Sequence, residues 1–178
     1  MYPMMPYGSS TLQVALGLSL GRLFLDANVS TYAAGRDHPL KEPCKEVLRL
    51  VVRRPRSFFT DAEVLQEMLH RYLALRRWPE GKRVVLDFAA LMDGSVEPVS
   101  AGDAVLACEL ADRHAARPDA RLAARDLLHA AVMLRAEETP ARIVTADRDF
   151  EDLASEGIER LDPAEVESWQ HVIEGGRA

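Results

Sequence analysis

The chain has 178 residues, of which 48% are hydrophobic and 28% are charged, and its formal net charge is −6 at pH 7. This length predicts one globular domain with a sizeable core and leaves too little chain for two comfortable domains. The acidic balance argues against a protein that grips nucleic acid over a broad basic face, but it does not exclude a nuclease whose acids bind a cation.

Residues 1–21 lack the features of a secretory signal. The first ten residues are rich in Pro, Met and Tyr, and the apolar stretch that follows is short and is interrupted by Gly17. No basic n-region precedes this apolar stretch, and the stretch is too short to span a membrane. We expect either a disordered leader or a start codon assigned too far upstream, followed by one domain over residues 22–178. The two cysteines form no CxxC pair and are not expected to form a disulfide, so a reducing cytoplasm is the expected compartment.

Hydrophobic periodicity predicts strands that alternate with helices. The predicted strands cover residues 22–26, which a turn to residue 29 follows, and residues 57–60, 96–99, 142–145 and 158–161. The predicted helices cover residues 31–35, 41–54, 60–77, 79–94, 100–117, 126–138 and 150–156, and a terminal helix begins at Pro163. Thr60 with Glu63, and Ser100 with Asp103, have the spacing of helix-capping pairs. The alternation predicts a three-layer α/β/α fold around a central parallel sheet of about five short strands.

Carboxylates follow several of these strands or lie in the neighbouring helices. Asp26 ends an apolar strand, Asp147 and Asp149 follow another, Glu67 lies within a helix, and Asp126 opens one. Because ligands bind beyond the carboxyl ends of strands in parallel α/β sheets, these acids are expected to converge on one crevice. Several carboxylates in one crevice repel each other unless a hard cation such as Mg²⁺ neutralises them. The pattern therefore predicts metal-dependent cleavage of phosphodiester bonds.

Most of these acids also have a structural explanation. Asp126 can cap a helix, and Asp147 and Asp149 can be turn or capping residues. Glu63 lies four residues before Glu67 on the same helical face, so either side chain can point inward, although the capping pair explains Glu63.

A functional role is favoured for Asp26, and a structural role is favoured for His129. A buried acid at the end of an apolar strand costs free energy unless it has a partner, so a functional role for Asp26 is favoured. His129 lies within the apolar helix that follows Asp126, and it is expected to be a satisfied helix residue rather than a ligand.

The residues around the acids resemble the motifs of PIN-domain ribonucleases. Leu25-Asp26-Ala27-Asn28 is similar to the family's opening LDxN motif, and Glu67 matches the acid of its third helix. Residues 126–131 resemble its DxxxAA-type motif, and residues 145–150 resemble its TxDxDF motif. The four motifs occur in the family's order within residues 22–165. Within the family, the likeness is greatest to VapC-type toxins, the endoribonucleases of type II toxin–antitoxin pairs.

The resemblance implies a metal site with supporting residues. The implied ligands of one or two Mg²⁺ or Mn²⁺ ions, which would activate the attacking water, are Asp26, Glu67, Asp126 and Asp147. Hard oxygen ligands suit these ions better than zinc. Asp149 would be a further ligand through water, or a helix cap. Asn28 would orient Asp26, and Thr145 would orient the fourth acid or touch the scissile phosphate.

The resemblance also implies partners. RNA would be the substrate, and Arg125 and Arg148, which flank the acids, are the expected phosphate contacts. No aromatic stripe in the sequence predicts base stacking. The family likeness further implies a homodimer and an antitoxin whose C-terminal segment lies in an apolar groove between residues 31–52 and 61–91.

Two other functions fit parts of the pattern. A non-catalytic PIN fold that binds RNA or protein would be expected to lose some acids, whereas all four are present. A haloacid-dehalogenase-like phosphatase would use Asp26 as its nucleophile. That chemistry needs a second acid where Asn28 stands and a lysine after a strand, whereas Lys82 falls within a predicted helix.

Overall fold

The computed structural model describes residues 21–115, 121–137 and 140–174, which are organised around one five-stranded sheet. The strands are β1 (Leu23–Leu25), β2 (Phe58–Asp61), β3 (Val96–Glu97), β4 (Ala141–Val144) and β5 (Ile158–Leu161). All neighbouring strands are parallel, in the order β3-β2-β1-β4-β5. The predicted parallel α/β sheet is therefore confirmed. Residues 1–20 of the predicted leader lie outside the described part of the chain.

Helices connect the strands and cover the sheet. They are α1 (Ala27–Ala34), α2 (Lys41–Arg53), α3 (Ala62–Ala74), α4 (Trp78–Leu91), α5 (Ala101–Ala115), α6 (Ala124–Ala136), α7 (Val166–Trp169) and α8 (His171–Glu174). Short 3₁₀ helices span Pro55–Ser57, Arg148–Glu156 and Pro163–Glu165. Every residue of β1 is fully buried, so both faces of the sheet are covered, as parallel sheets require. No helix in the described ranges is both long and apolar enough to cross a membrane.

The centre of the sheet is β1. Its Phe24 ring packs edge-to-face on Phe59 of β2, with the ring centroids 5.3 Å apart. From β1 the sheet extends to β2 and β3 on one side and to β4 and β5 on the other. The strand order thus reverses between β1 and β4, which is where ligands bind in sheets of this kind. The pairing of Leu25 with Val144 places the carboxyl ends of these two strands side by side.

The turn predicted after Asp26 is the start of a helix. β1 ends at Leu25 and α1 begins at Ala27, so the helix predicted over residues 31–35 begins earlier and replaces the turn. Asp26 has an extended backbone and joins the two elements. Val29, which was expected in the turn, lies on the buried face of α1.

Two predicted helix caps have different outcomes. At α3 the prediction is wrong, because the N-cap is Asp61, whose side chain accepts the Val64 N–H at 2.9 Å. Thr60 belongs to β2, and its hydroxyl donates to a β1 carbonyl at 2.9 Å. At α5 the prediction is confirmed: the Ser100 N–H donates to the Asp103 carboxylate at 2.7 Å, and the Asp103 N–H donates to the Ser100 hydroxyl at 3.2 Å.

Other elements differ from prediction mainly at their ends. β3 stops at Glu97 because Pro98 has no N–H to continue the ladder. The helices predicted over residues 60–77 and 79–94 correspond to α3 and α4. The short helix predicted over residues 150–156 is the 3₁₀ helix Arg148–Glu156, and Gly157 ends it with a φ of 80°.

Candidate active site

A cavity of about 330 Å³, here called the acid cavity, opens at the carboxyl ends of β1 and β4. Its lining residues are Asp26, Asn28, Tyr32, Glu67, Arg125, Asp126, Ala146, Asp147 and Phe150. They come from the segment after β1, from α3, from the first turn of α6 and from the segment after β4. The fold therefore brings together four acids that are far apart in the sequence.

Asp26 is held at the wall of this cavity by its neighbours. Its side chain is nearly buried, and its N–H donates to the Val144 carbonyl at 3.3 Å, which extends the pairing of β1 with β4. The Thr145 hydroxyl and the Asn28 side-chain amide both donate to its Oδ2, each at 2.5 Å. These contacts fix the orientation of the carboxylate before any ligand binds.

Asn28 and Thr145 connect the segment after β1 with the segment after β4. The Asn28 amide donates to the Thr145 hydroxyl oxygen at 2.7 Å, and the Asn28 side-chain oxygen accepts the Ala146 N–H at 3.2 Å. The same hydroxyl oxygen accepts the Asp147 N–H at 3.0 Å. Asn28 thus makes the contact with Asp26 that its predicted orienting role requires, and Thr145 contacts Asp26 directly and Asp147 through its backbone.

Glu67 and Asp126 reach the cavity from helices. The Asp126 carboxylate accepts the N–H of Ala123 at 2.6 Å, and Ala123, not Asp126, is the N-cap of α6. Glu67 on α3 lies 3.7 Å from the guanidinium of Arg125. Glu63 does not line the acid cavity, so the structure favours Glu67 over its rival.

The charged residues after β4 divide between the cavity and the surface. Asp147 lines the cavity, and its Oδ1 accepts the Asp149 N–H at 2.9 Å, which caps the following 3₁₀ helix. Asp149 and Arg148 do not line it. The Arg148 side chain is 81% exposed and lies 3.5 Å from Glu151. Of the two arginines expected to contact RNA, Arg125 is the one on the cavity wall.

Burial makes two carboxylates of the acid cavity, those of Asp26 and Asp126, harder to ionise. It raises the pKa of Asp26 to about 6, against smaller lowering effects of His129 and Thr145, and the charge of Glu67 adds to the increase. Burial also raises the pKa of Asp126, and the nearby charge of Asp147 contributes to that rise. Both shifts mean that a cation in the cavity would be stabilising, because it favours the ionised forms.

A buried histidine–aspartate pair lies behind the cavity. His129 on α6 is 1% exposed, and its Nδ1–H donates to Oδ2 of the fully buried Asp61 at 2.8 Å. Burial lowers the pKa of His129, but the hydrogen bond and charge of Asp61, together with the charges of Asp26 and Glu67, outweigh it and leave the pKa raised. Its Nε2 has no hydrogen-bond partner within the described ranges. The histidine is therefore only half satisfied, contrary to expectation.

The sequence pattern did not indicate Asp61 or Tyr32 as residues of interest. Asp61 ends β2 much as Asp26 follows β1, and that parallel position was the available signal. Tyr32 lies on α1 one turn after Asn28, and the spacing of four residues places both on the same helical face.

The donor types of the cavity suit a hard divalent cation. Carboxylate oxygens dominate the wall, and none of its described lining residues is a histidine or a cysteine. In the part of the chain that the structure describes, no three His, Cys, Asp or Glu side chains are grouped closely enough to hold an ion as they stand. Binding would therefore require a carboxylate to turn inward. Glu67 is a candidate, because its ion pair with the half-exposed Arg125 is weak.

The chain is similar in sequence to known proteins of one family. A family model described as the PIN domain matches residues 23–156. Ribonuclease VapC23 of Mycobacterium tuberculosis is 38% identical over 128 residues, which cover 70% of this chain and 92% of that protein. VapC ribonuclease Mb1869c of Mycobacterium bovis is 33% identical over 139 residues, which cover 78% of this chain and 98% of its own length.

Two solved structures share the fold. A structure of FitAB bound to an IR36 DNA fragment aligns with a TM-score of 0.62 at 17% identity, over 80% of this chain and 95% of that chain. FitAcB from Neisseria gonorrhoeae aligns with a TM-score of 0.61 at 17% identity, over 80% of this chain and 99% of its own. Because the matching family model spans β1 to β4 and every residue that lines the acid cavity, this chain belongs to the PIN-domain family.

Proposed function

We propose that this protein is a metal-dependent endoribonuclease and the toxin of a toxin–antitoxin pair. The observation that carries the proposal is the convergence of Asp26, Glu67, Asp126 and Asp147 on one cavity at the switch point of the sheet. The similar proteins named VapC ribonucleases support RNA as the substrate.

The four carboxylates would hold Mg²⁺ or Mn²⁺. When bound, the cation supplies a water of lowered pKa and stabilises negative charge on the phosphate. Asp26 is the anchor of the set, because Thr145 and Asn28 fix its Oδ2 while the residue faces the cavity. Hydrolysis then adds water across one P–O bond of the RNA strand and leaves a phosphate on one product and a hydroxyl on the other.

Arg125 would contact the RNA phosphate. Its side chain is 48% exposed and lies 3.7 Å from Glu67, on the wall of the acid cavity. An ion pair of this exposure is weak, so exchanging the carboxylate of Glu67 for a phosphate oxygen costs little. That exchange would also release Glu67 toward a cation.

We further propose that an antitoxin segment covers the groove between α1, α2 and α4. A cavity of about 330 Å³ lies there, and its apolar lining residues are Ala33, Ala34, Leu48, Val84, Phe88 and Leu91. On α2, α3 and α4 respectively, Val52, Leu73 and Leu86 are each more than half exposed. Exposed apolar surface of this kind marks binding sites, and an amphipathic helix suits such a groove. The homodimer stays a prediction, and light scattering of the purified chain tests it.

Cleavage of a mixed RNA pool by the purified chain tests the enzyme directly. The reactions contain Mg²⁺, Mn²⁺ or EDTA, and the variants are Asp126→Asn and the control Glu63→Gln. Asparagine at position 126 keeps an oxygen that can accept the Ala123 N–H, so the helix start is preserved. We expect cleavage to require metal and to fall by more than about 100-fold in Asp126→Asn, because even residues that merely support ligands contribute about 10- to 100-fold. Glu63→Gln should retain full activity.

The same experiment separates the alternative functions. Absence of cleavage together with absence of Mn²⁺ binding would favour a non-catalytic PIN fold that binds RNA or protein. A phosphatase that uses Asp26 as nucleophile is disfavoured, because Lys82 lies on α4 and does not line the acid cavity. Equal cleavage by wild type and Asp126→Asn would contradict the assignment of the site.

A further inference from the structure

A second cavity adjoins the acid cavity and has the opposite charge. It has a volume of about 440 Å³ and lies between the end of α1, the loop that follows it and the end of α3. Tyr32 lines both cavities, so they meet at this side chain. We call the second one the basic cavity. A strand bound with a phosphate among the acids can therefore continue past Tyr32 into it.

The basic cavity presents two guanidinium groups that are not engaged with carboxylates. Its arginines are Arg36, Arg71 and Arg77. Arg77 is held by Glu80 through hydrogen bonds of 2.6 to 2.9 Å. Arg36 and Arg71 are exposed, and neither forms an ion pair with any carboxylate of residues 21–115, 121–137 or 140–174. In a chain with a net charge of −6, these two side chains offer a local site for an anion.

The basic cavity also presents an ordered aromatic surface. The rings of Tyr32 and His38 stack with centroids 4.6 Å apart and an angle of 28° between their planes. Nδ1 of His38 accepts the N–H of Leu40 at 3.1 Å, which restrains the imidazole in the loop. His38 is exposed, so the ring pair has an outer face that a planar group can cover. Unpaired RNA bases stack on such rings, whereas bases in a duplex have their faces covered.

We propose that the basic cavity binds a nucleotide of single-stranded RNA next to the cleaved bond, with its base on the Tyr32–His38 ring pair and a flanking phosphate at Arg36 and Arg71. The proposal rests on the proposed function, because it takes the strand in the acid cavity to be RNA. It makes these residues determinants of substrate binding rather than of the chemical step. It also predicts a preference for unpaired over duplex substrate.

Fluorescence anisotropy of a labelled single-stranded oligoribonucleotide in EDTA measures binding without cleavage. The test variants are Arg36→Ala with Arg71→Ala, and His38→Ala. The matched control is Arg54→Ala with Arg56→Ala, which removes two exposed arginines. They lie just before β2, at the amino ends of the strands, whereas the acid cavity opens at the carboxyl ends. All these side chains are exposed, so the variants should fold, and circular dichroism checks this.

The arginine pair should contribute through phosphate contact and His38 through stacking. Loss of both cavity arginines should weaken binding by about tenfold or more and reduce the salt dependence by about one counterion. Loss of His38 should weaken binding by about 5- to 100-fold, the range for one stacked base. The control should stay within about twofold, because its arginines lie away from the strand path. In Mg²⁺, the cavity variants should raise KM and leave kcat unchanged.

The outcomes distinguish this inference from the proposed function. Binding that depends on the basic cavity, without cleavage by the wild type, would support the inference and contradict the nuclease. Metal-dependent cleavage whose KM is unchanged in the cavity variants would overturn the inference and leave the nuclease intact. Equal losses in the cavity and control variants would also overturn it, as would a polyglutamate peptide that binds as tightly as the RNA and loses affinity in the same variants.

Discussion

Asp26 and Asp61 occupy matching positions at neighbouring strands, but their surroundings differ. Each lies where a buried parallel strand ends, and each is the N-cap residue of the next helix. Asp61 uses both oxygens inside the protein: Oδ1 accepts the Val64 N–H and Oδ2 accepts from His129. Asp26 makes no side-chain hydrogen bond that caps its helix, and it lines the acid cavity instead.

This difference separates a structural acid, Asp61, from the acid that we propose to be functional, Asp26. Capping and a buried partner account fully for Asp61. Asp26 has burial that raises its pKa to about 6, and the charge of His129 offsets that burial only in part. A carboxylate whose burial is only partly offset by nearby positive charge is typical of a functional site. A bound cation would stabilise its ionised form. Removing Asp61 should therefore destabilise the protein, whereas removing Asp26 should stabilise the metal-free protein and impair the proposed activity.

Replacing Asp61 should have the largest effect on stability. Asp61→Ala leaves His129 buried without its partner and removes the cap of α3. Breaking a buried pair by removing one member costs about 3–5 kcal/mol of unfolding free energy. Urea denaturation measures the loss, and adding His129→Leu to the variant should recover part of it. A loss below about 1 kcal/mol would show that the pair is not structural, since it is then no larger than that of an exposed ion pair.

Replacing Asp26 should stabilise the metal-free protein at neutral pH. The pKa of Asp26 rises from 3.8 to about 6 in the folded state, so its stabilising contribution is complete below pH 3.8 and is lost as the pH rises through 6. Above that pH, Asp26→Asn should exceed wild type in unfolding free energy by up to about 3 kcal/mol. Denaturation in EDTA between pH 4 and 8 measures this, with pH values chosen around the shift. A difference between the two proteins that does not change with pH would contradict the burial of Asp26.

Replacing Thr145 should have a smaller effect on stability and a clear effect on activity. Thr145→Val removes one of the two donors to Asp26 and the acceptor for the Asp147 N–H. We expect a loss of about 1 kcal/mol in unfolding free energy and about 10- to 100-fold in kcat/KM, because residues that support metal ligands have effects of this size. Thr145→Ser, which keeps the hydroxyl, is the control and should recover most of the activity.

The sequence was sufficient to predict the parallel sheet and the convergence of the four acids. Strand and helix periodicity indicated the layers, and the carboxyl ends of parallel strands share one edge, so acids at Asp26 and Asp147 had to approach each other. The start of α1 was placed too late, because the few residues between Asp26 and Thr31 are too short a run to show a helical period.

The contacts between distant segments could not be read from local patterns. Asp61 and His129 are 68 residues apart in the sequence, and neither carries a local signal of the other. The stacking of Tyr32 on His38 depends on how the loop after α1 returns to the helix, which hydrophobic periodicity does not specify. Pairings of this kind arise from tertiary packing. The pairing of Asp61 with His129 is the contact that distinguishes Asp61 from Asp26.

Titration calorimetry with Mn²⁺ at pH 7.5 tests whether the acid cavity binds a divalent cation through Asp26. The proteins compared are wild type, Asp26→Asn and the control Glu63→Gln, which lies outside the acid cavity. We predict that wild type and Glu63→Gln bind Mn²⁺ alike. We also predict that Asp26→Asn, although folded and at least as stable, loses more than about tenfold in affinity, because the best-fixed carboxylate ligand is gone. Equal Mn²⁺ affinity in wild type and Asp26→Asn would contradict a cation site in the acid cavity, since Asp26 would then not be a ligand.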